Sequence, residues 1–153
     1  MVWTEDDFEV KKSTIPEAGD GLFSKVHLLP NDTIGPYTGK LLTDAEANSE
    51  PYVNSLYLVW VCKDCWIWGE GAWANYTRFV NHDETKPNAE LITSSRWKKA
   101  RISAMKEILP GDEIFFDYGE SYWDCVAIAR GHVPHKRAKA PVTRTPVFRT
   151  VVQ

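Results

Sequence analysis

Cysteine is scarce in this 153-residue chain, with only Cys62, Cys65 and Cys125. An odd count leaves one thiol outside any disulfide scheme, which fits a reducing compartment. Cys62-Lys63-Asp64-Cys65 has zinc-knuckle spacing, but a structural zinc needs four ligands and there is no second cysteine pair. The four histidines, His27, His82, His132 and His135, show no spacing that would complete the set, so no metal is expected. Long apolar runs are also missing, which excludes a helical membrane span. The first residues, Met1-Val2-Trp3-Thr4-Glu5-Asp6-Asp7, are acidic where a secretory signal is basic and then apolar. The expectation is an intracellular protein with no membrane contact. Acids are absent from residues 125–153, which carry six cations: Arg130, Lys136, Arg137, Lys139, Arg144 and Arg149. Against a net charge of −3, the rest of the chain is therefore nine charges negative. An acidic body attracts a basic peptide over long range, and it is equally what a solvated acidic surface looks like.

The length suits one ordinary domain with its own core. Seven Trp, six Tyr and six Phe are many for that length, and most belong in the core because each removes a large apolar area from water. Residues 8–13, 22–26 and 33–37 read as short strands, and Pro36 places the third at an edge or ends it. Thr43 caps a short helix over residues 43–47. Residues 55–62 and 65–68 flank Lys63-Asp64 as a hairpin; that pair is not a favoured two-residue turn, so a wider loop is an alternative. One helical turn is expected at residues 75–80, strands at 89–92, 99–105 and 114–117, and a closing helix at 121–129. Pro110-Gly111 fits a type II turn. A Leu-Pro-x-Asp-x-Ile pattern occurs at residues 29–34 and again at 109–114, which points to one turn-then-strand device used twice. Many short strands with no alternating βαβ rhythm argue against a doubly wound nucleotide-type sheet.

Two stretches stand out. Arg78-Phe79-Val80-Asn81-His82 leads to Pro87-Asn88, and Gly111-Asp112-Glu113-Ile114-Phe115-Phe116-Asp117-Tyr118 follows after a strand pair. Together they resemble the signature motifs of the SET-domain protein lysine methyltransferases, written RFxNHSCxPN and GEELxFDY. Two weaker features stand in the family's order. Gly19-Asp20-Gly21, alone an ordinary turn, is similar to the family's Gly-x-Gly beside the cofactor. Tyr37-Thr38-Gly39, alone a core-packed tyrosine, is similar to its Y-x-G. The resemblance runs from about residue 8 to residue 123. The loop at residues 83–88 departs from it, being one residue longer and lacking the Cys, so a local bulge is expected there. Ala74 stands where the family has the Gly of Gly-Asn.

The resemblance implies a mainly β SET fold: small curved, β-clip-like sheets, a few short helices and a C-terminal pseudoknot. It would occupy residues 1–130, with 131–153 as a basic tail or arm. It implies S-adenosyl-L-methionine as methyl donor, with S-adenosyl-L-homocysteine as product. Gly19, Asp20, Gly21, Arg78, Asn81, His82, Tyr118 and Trp123 are the expected cofactor residues. Tyr118 would be catalytic, Tyr37 a wall of the lysine channel, and Phe116 the position that sets product degree; a Phe there leaves room for di- and trimethylation. The lysine must be bound neutral, which a narrow aromatic channel beside a cationic sulfonium favours. No general base stands at the motif, so alignment and a preorganised polar site are expected to carry the catalysis. The family's Cys-rich post-SET zinc segment cannot form around Cys125 alone. The Tyr-Gly-acid-x-Tyr-Trp ending is similar to that of small stand-alone SET proteins, viral ones among them. Tyr122 and Trp123 either close the site or pack in the core. A histone tail lysine is the expected substrate, with a nuclear or chromatin location. The 135–139 basic run is either a nuclear-import or nucleosomal DNA contact or a solubilising tail. The alternative function is a catalytically silent SET-like binding module.

Overall fold

A computed structural model describes residues 2–55 and 57–117, together with the backbone of residues 150–152. The expected helix at 121–129 and the aromatic pair Tyr122 and Trp123 lie outside the described residues, as does Tyr118. Eleven short strands, one four-residue α-helix and three 3-10 turns form the described architecture, the last of these turns, Tyr76–Phe79, at the expected place. β1 (Phe8–Lys12) and β2 (Asp20–Ser24) make an antiparallel pair. β4 (Lys40–Leu42), β6 (Cys65–Trp68) and β5 (Leu58–Cys62) form a three-stranded antiparallel sheet in that order. A second sheet runs β11 (Thr150–Val152), β8 (Ala89–Ser94), β9 (Lys99–Ala104), β3 (Thr33–Pro36), with β11 parallel to β8. β7 (Asn81–His82) and β10 (Phe115–Phe116) make a short parallel pair.

The pattern of apolar residues explains most of this. In β8 the burial alternates, with Ala89, Leu91 and Thr93 inward and Glu90, Ile92 and Ser94 outward, the period of a half-buried strand. Leu22, Leu28, Ile34, Ile102, Ile108 and Ile114 are fully buried and tie the small sheets to one core. Helix α1 (Asp44–Ala47) starts at Thr43, whose hydroxyl accepts from the Glu46 amide while the Glu46 carboxylate accepts from the Thr43 amide, a reciprocal capping box.

Several boundaries differ from the sequence expectation, β5 beginning at Leu58 and β8 ending at Ser94 among them, and β4 was not expected. β2 begins at Asp20, two residues early, because β1 continues its ladder down to Lys12 opposite Asp20. The expected hairpin around Lys63-Asp64 is present with Cys62 opposite Cys65, and its connection is that two-residue turn, the wider loop being the alternative not adopted. Asp64 takes φ +60, and a clasp from α1 holds it there: Asp64 accepts from the Asp44 amide at 2.9 Å, and Asp44 accepts from the Asp64 amide at 3.2 Å and the Trp66 indole at 2.8 Å.

The repeated Leu-Pro-x-Asp-x-Ile segments form one device built twice. In each, the aspartate carboxylate accepts from its leucine amide, Leu29 to Asp32 at 2.9 Å and Leu109 to Asp112 at 3.0 Å. In each, the Asp amide donates back to the Leu carbonyl at 3.0 Å. Each needs a left-handed residue, Asn31 at φ +73 and Gly111 at φ +94. The two copies face each other through paired bonds between Leu28 and Ile108, and each also bonds the strand that precedes its partner, at Ala104 and at Ser24. This pseudo-two-fold pair of turns sets where Glu113 and β10 begin.

Candidate functional site

The two signature stretches meet in the β7–β10 pair. Asn81 lies opposite Phe115 and His82 opposite Phe116. Asn88, at the end of the divergent loop, fastens this pairing: its side chain accepts from the Phe115 amide at 2.8 Å and donates to the Glu113 carbonyl at 2.9 Å, and its amide donates to the Phe115 carbonyl at 3.1 Å. The loop itself closes on Asp83, whose Oδ1 accepts from the Thr85 amide at 2.9 Å, the Thr85 hydroxyl at 2.8 Å and the Lys86 amide at 3.0 Å. These bonds hold the Asp83 carboxyl below its ordinary range. An Asp-centred turn thus accommodates the extra residue, and Pro87-Asn88 still reaches the strand.

Sequence reasoning missed the residue at the centre of the site. Glu113 is 6% exposed, and its carboxylate accepts from the Ser13 hydroxyl at 2.6 Å, the Thr14 amide at 2.9 Å, the Thr14 hydroxyl at 2.5 Å and the Asn81 side-chain amide at 3.3 Å. Asn81 also donates to the Asp20 carbonyl at 2.9 Å. One buried acid therefore joins β1's exit, the Gly-x-Gly segment and the Asn-His strand. With Gly111 and Asp112 before it, Glu113 carries no local burial signal; it faces inward because the fold brings donors to it.

The glycines carry different loads. At Gly21 a Cβ would run into the Glu113 carboxylate and sit 3.1 Å from the Asn81 amide nitrogen, so only glycine lets β2 approach that cluster. At Gly19, φ is +73 and no described residue lies within 4 Å of a built Cβ, so among the described residues the space beside it is open. Gly39 of the Tyr-x-Gly stretch lets β4 cross tightly over the Trp68 backbone.

His82 sits with Nδ1 3.8 Å from Asp117. Burial pushes the His82 imidazole below its ordinary range, and the weaker attractions of Asp117, Glu84 and Asp83 pull the other way. Arg78 lies over two rings, 4.8 Å from the centroid of Tyr57 and 5.1 Å from that of Phe79. Its Nε is buried and has no hydrogen-bond partner among the described residues. Tyr37 is 5% exposed; its hydroxyl donates to the Tyr57 carbonyl at 3.2 Å and abuts Gly69. Phe116 is 2% exposed. Asn81, His82 and Phe116 thus share one strand pair, with Asp20 and Gly21 joined to it through Asn81 and Glu113. Tyr37 and Arg78 converge on Tyr57. Tyr118, next in chain after Asp117, and Trp123 are not described.

A cofactor with an amino acid end and a cationic centre needs open room beside backbone polar groups and a few convergent side chains. Among the described residues, the open space at Gly19, the Asn81 side-chain oxygen and a His82 kept neutral meet that description.

The family profile described as "SET domain" matches residues 19–119. Among curated proteins, the chain is 26% identical over 124 residues to histone-lysine N-methyltransferase EZH2 of Chaetomium thermophilum, covering 72% of this chain and 8% of that protein. It is 32% identical over 126 residues to histone-lysine N-methyltransferase MEDEA of Arabidopsis thaliana, covering 77% and 18%. The human histone-lysine N-methyltransferase PRDM7 is 27% identical over 114 residues, covering 72% and 23%. The chain therefore spans less than a quarter of the length of these relatives. Among solved structures, an active polycomb repressive complex 2 in the basal state aligns with a TM-score of 0.60 at 25% identity, covering 73% of this chain and 15% of that one. A humanized mutant of the Chaetomium thermophilum complex bound to the inhibitor GSK126 aligns at 0.61 and 24%, covering 74% and 15%. The mainly β architecture is that of these SET domains.

Proposed function

The chain belongs to the SET-domain family, and from that premise we propose that it is an S-adenosylmethionine-dependent protein-lysine N-methyltransferase. The observation that carries this is the parallel pairing of Asn81–His82 with Phe115–Phe116, which brings the two signature stretches to one place. When bound, S-adenosylmethionine supplies a methyl group on a cationic sulfur. The chain's part is to hold the two reactants in line and to keep the acceptor amine uncharged. Gly19, Asp20 and Gly21 offer backbone along one side of the cofactor. Asn81 would offer its side-chain oxygen, Arg78 its guanidinium and His82 an uncharged imidazole, and Trp123 would add a flat apolar surface. Tyr118 and Tyr37 would line the lysine channel and orient the amine. A protonated lysine loses its hydration in such a channel and meets a second positive charge there, so the neutral amine is favoured. Most of the rate gain then comes from alignment and fixed dipoles.

The proposed substrate is a histone tail lysine. The relatives are named histone-lysine methyltransferases, and the acidic body is complementary to a basic tail. A nuclear or chromatin location goes with that substrate. The basic residues 131–153 are assigned to the nucleosomal DNA beside it. Phe116 lacks the hydroxyl that would hold a water in the channel, so the enzyme carries lysine to the di- and trimethyl states.

The test is transfer of labelled methyl groups to core histones and nucleosomes by wild type and Tyr118→Phe, with cofactor affinity measured by calorimetry. The variant is expected to lose most transfer and keep its cofactor affinity. Phe116→Tyr is expected to shift the product toward monomethyl-lysine by mass spectrometry. Tight cofactor binding with no transfer to any histone or peptide array would instead support a silent binding module.

A further inference from the structure

The outer face of the sheet β11-β8-β9-β3 carries a groove of about 500 Å³, lined among others by Thr33, Pro36, Ile92, Trp97, Lys99 and Arg101. None of the described residues proposed for methyl transfer is among its lining residues. At its lip, the β8–β9 turn is held by the Ser94 hydroxyl, which accepts from the Trp97 amide at 3.3 Å. Lys98 takes the left-handed φ of +51 that lets the chain re-enter β9. Trp97 is 65% exposed, an unusual place to leave an indole in a protein that buries Trp66 completely. The Arg96 guanidinium lies 4.9 Å over its ring. Arg96, Lys98, Lys99 and Arg101 put four cations in six positions, and residues 91–106 contain no acid. Arg96, Lys98 and Lys99 form no ion pair with a carboxylate among the described residues. This basic patch sits on a body that is otherwise acidic.

Apolar walls, an exposed indole with a stacked guanidinium and three cations (Arg96, Lys98 and Lys99) with no carboxylate partner among the described residues select a partner that is anionic and has flat apolar faces. An extended acidic peptide fits less well, because it brings no flat apolar face to the groove and the β3 edge of the sheet is not open to strand addition. β8 is an inner strand, paired with β11. On β3, the Ile34 carbonyl already accepts from the Tyr76 hydroxyl at 2.8 Å, and the Pro36 carbonyl accepts from Asn75 at 2.9 Å and Thr77 at 3.1 Å. Pro36 has no N–H to offer. A duplex would leave the apolar groove unused, since its bases are already stacked. We propose that this face binds single-stranded nucleic acid, with a base seated on Trp97 in the groove and the backbone phosphates held by Arg96, Lys98 and Lys99. Stacking on an exposed aromatic combined with cations along the backbone is how sequence-tolerant single-strand sites work.

The test uses the full chain with no methyl donor, so its outcome is independent of the transferase reading. Binding of a fluorescein-labelled single strand of about 12 nucleotides, within the usual site size, is followed by anisotropy across a salt series. Trp97→Ala is expected to weaken binding about 10-fold and Trp97→Phe much less, in line with the loss of one stacked base. Lys98→Ala with Lys99→Ala is expected to make the slope of log K against log salt shallower by about 1.4, at about 0.7 per lost phosphate contact. All three positions lie on the surface, and unchanged thermal unfolding of each variant confirms that the fold is intact. Four results overturn the proposal. The first is no binding, and the second is binding unaffected by these substitutions, which places it elsewhere, for instance at residues 131–153. The third is equal affinity for a duplex of the same sequence, which removes the stacked base. The fourth is displacement by polyglutamate at equal charge concentration, which marks an acidic-peptide surface.

Discussion

Glu113 shows how much one side chain holds. Its carboxylate satisfies Ser13, Thr14 and Asn81 at once, and its volume forbids a side chain at position 21. Glu113→Ala leaves several buried donors without partners, each costing about 1–3 kcal/mol. Unfolding free energy from denaturant titration is expected to fall by about 3 kcal/mol, taking the lower part of that range for groups that water can partly reach. Cofactor affinity falls with it, because Asn81 and Gly21 lose their common anchor. Gly21→Ala acts in the same direction by pushing the carboxylate aside, while Glu113→Gln keeps the shape and is expected to be milder on both readouts. His82 supplies a separate, pH-dependent signature. Burial lowers its folded pKa below the value of about 6.5 in the unfolded chain. The folded state then binds fewer protons than the unfolded state, so His82's contribution to stability is complete above the unfolded pKa. It is lost as pH falls through the folded value. The unfolding midpoint is expected to drop on going from about pH 7 to pH 5, and His82→Gln to flatten that part of the profile. Asp83, held low by its loop hydrogen bonds, titrates in a more acidic window and leaves this one undisturbed.

At the scale of elements, the paired Leu-Pro-x-Asp turns predict unequal responses to the same kind of change. Gly111 stands at φ +94, where a Cβ is strained although no described residue crowds it, so Gly111→Ala is expected to cost about 1 kcal/mol in thermal unfolding. Asn31 stands at φ +73 in the equivalent turn, so Asn31→Gly relieves backbone strain at the cost of a looser unfolded chain and is expected to be near neutral. A large loss in Asn31→Gly would show that the asparagine side chain, and not the backbone, maintains that turn. These turns were legible in the sequence because their chemistry is local: a proline, a left-handed residue and an aspartate that bonds its own backbone. The cap at Thr43 and the alternation in β8 were legible for the same reason. The hairpin around Lys63-Asp64 was legible too, but the tightness of its turn was not, because its left-handed Asp64 is held by Asp44, 20 residues away in sequence. Glu113 was not singled out either, since an acid in a motif reads as solvent-facing until its donors, 99 and 100 residues earlier, are placed beside it. Pattern finds elements whose causes are near in sequence, whereas the site is assembled by contacts that loops bring together.

For the whole molecule, the consequential feature is how the basic C-terminal stretch relates to the domain. On sequence grounds residues 131–153 form a tail or an arm. Thr150–Val152 nevertheless runs as a strand parallel to β8, opposite Leu91, Ile92 and Thr93. Without it, β8 becomes an edge, and its unpaired backbone groups turn to water or to another chain. Removal of residues 150–153 is therefore expected to lower the thermal midpoint by several degrees. At about 1 kcal/mol for the lost ladder bonds, a domain of this size shifts by about 2–6 °C. The same truncation is expected to raise aggregation on heating, because an exposed edge beside Ile92 is a template for strand pairing. Amide hydrogen exchange separates this from a loose tail: residues 91–93 are expected to lose protection in the truncated chain while β9 keeps its own. Equal thermal midpoints and unchanged exchange at residues 91–93 would mean that the strand adds nothing to the sheet, and that the six cations of residues 125–153 act from a segment with no structural tie to the domain.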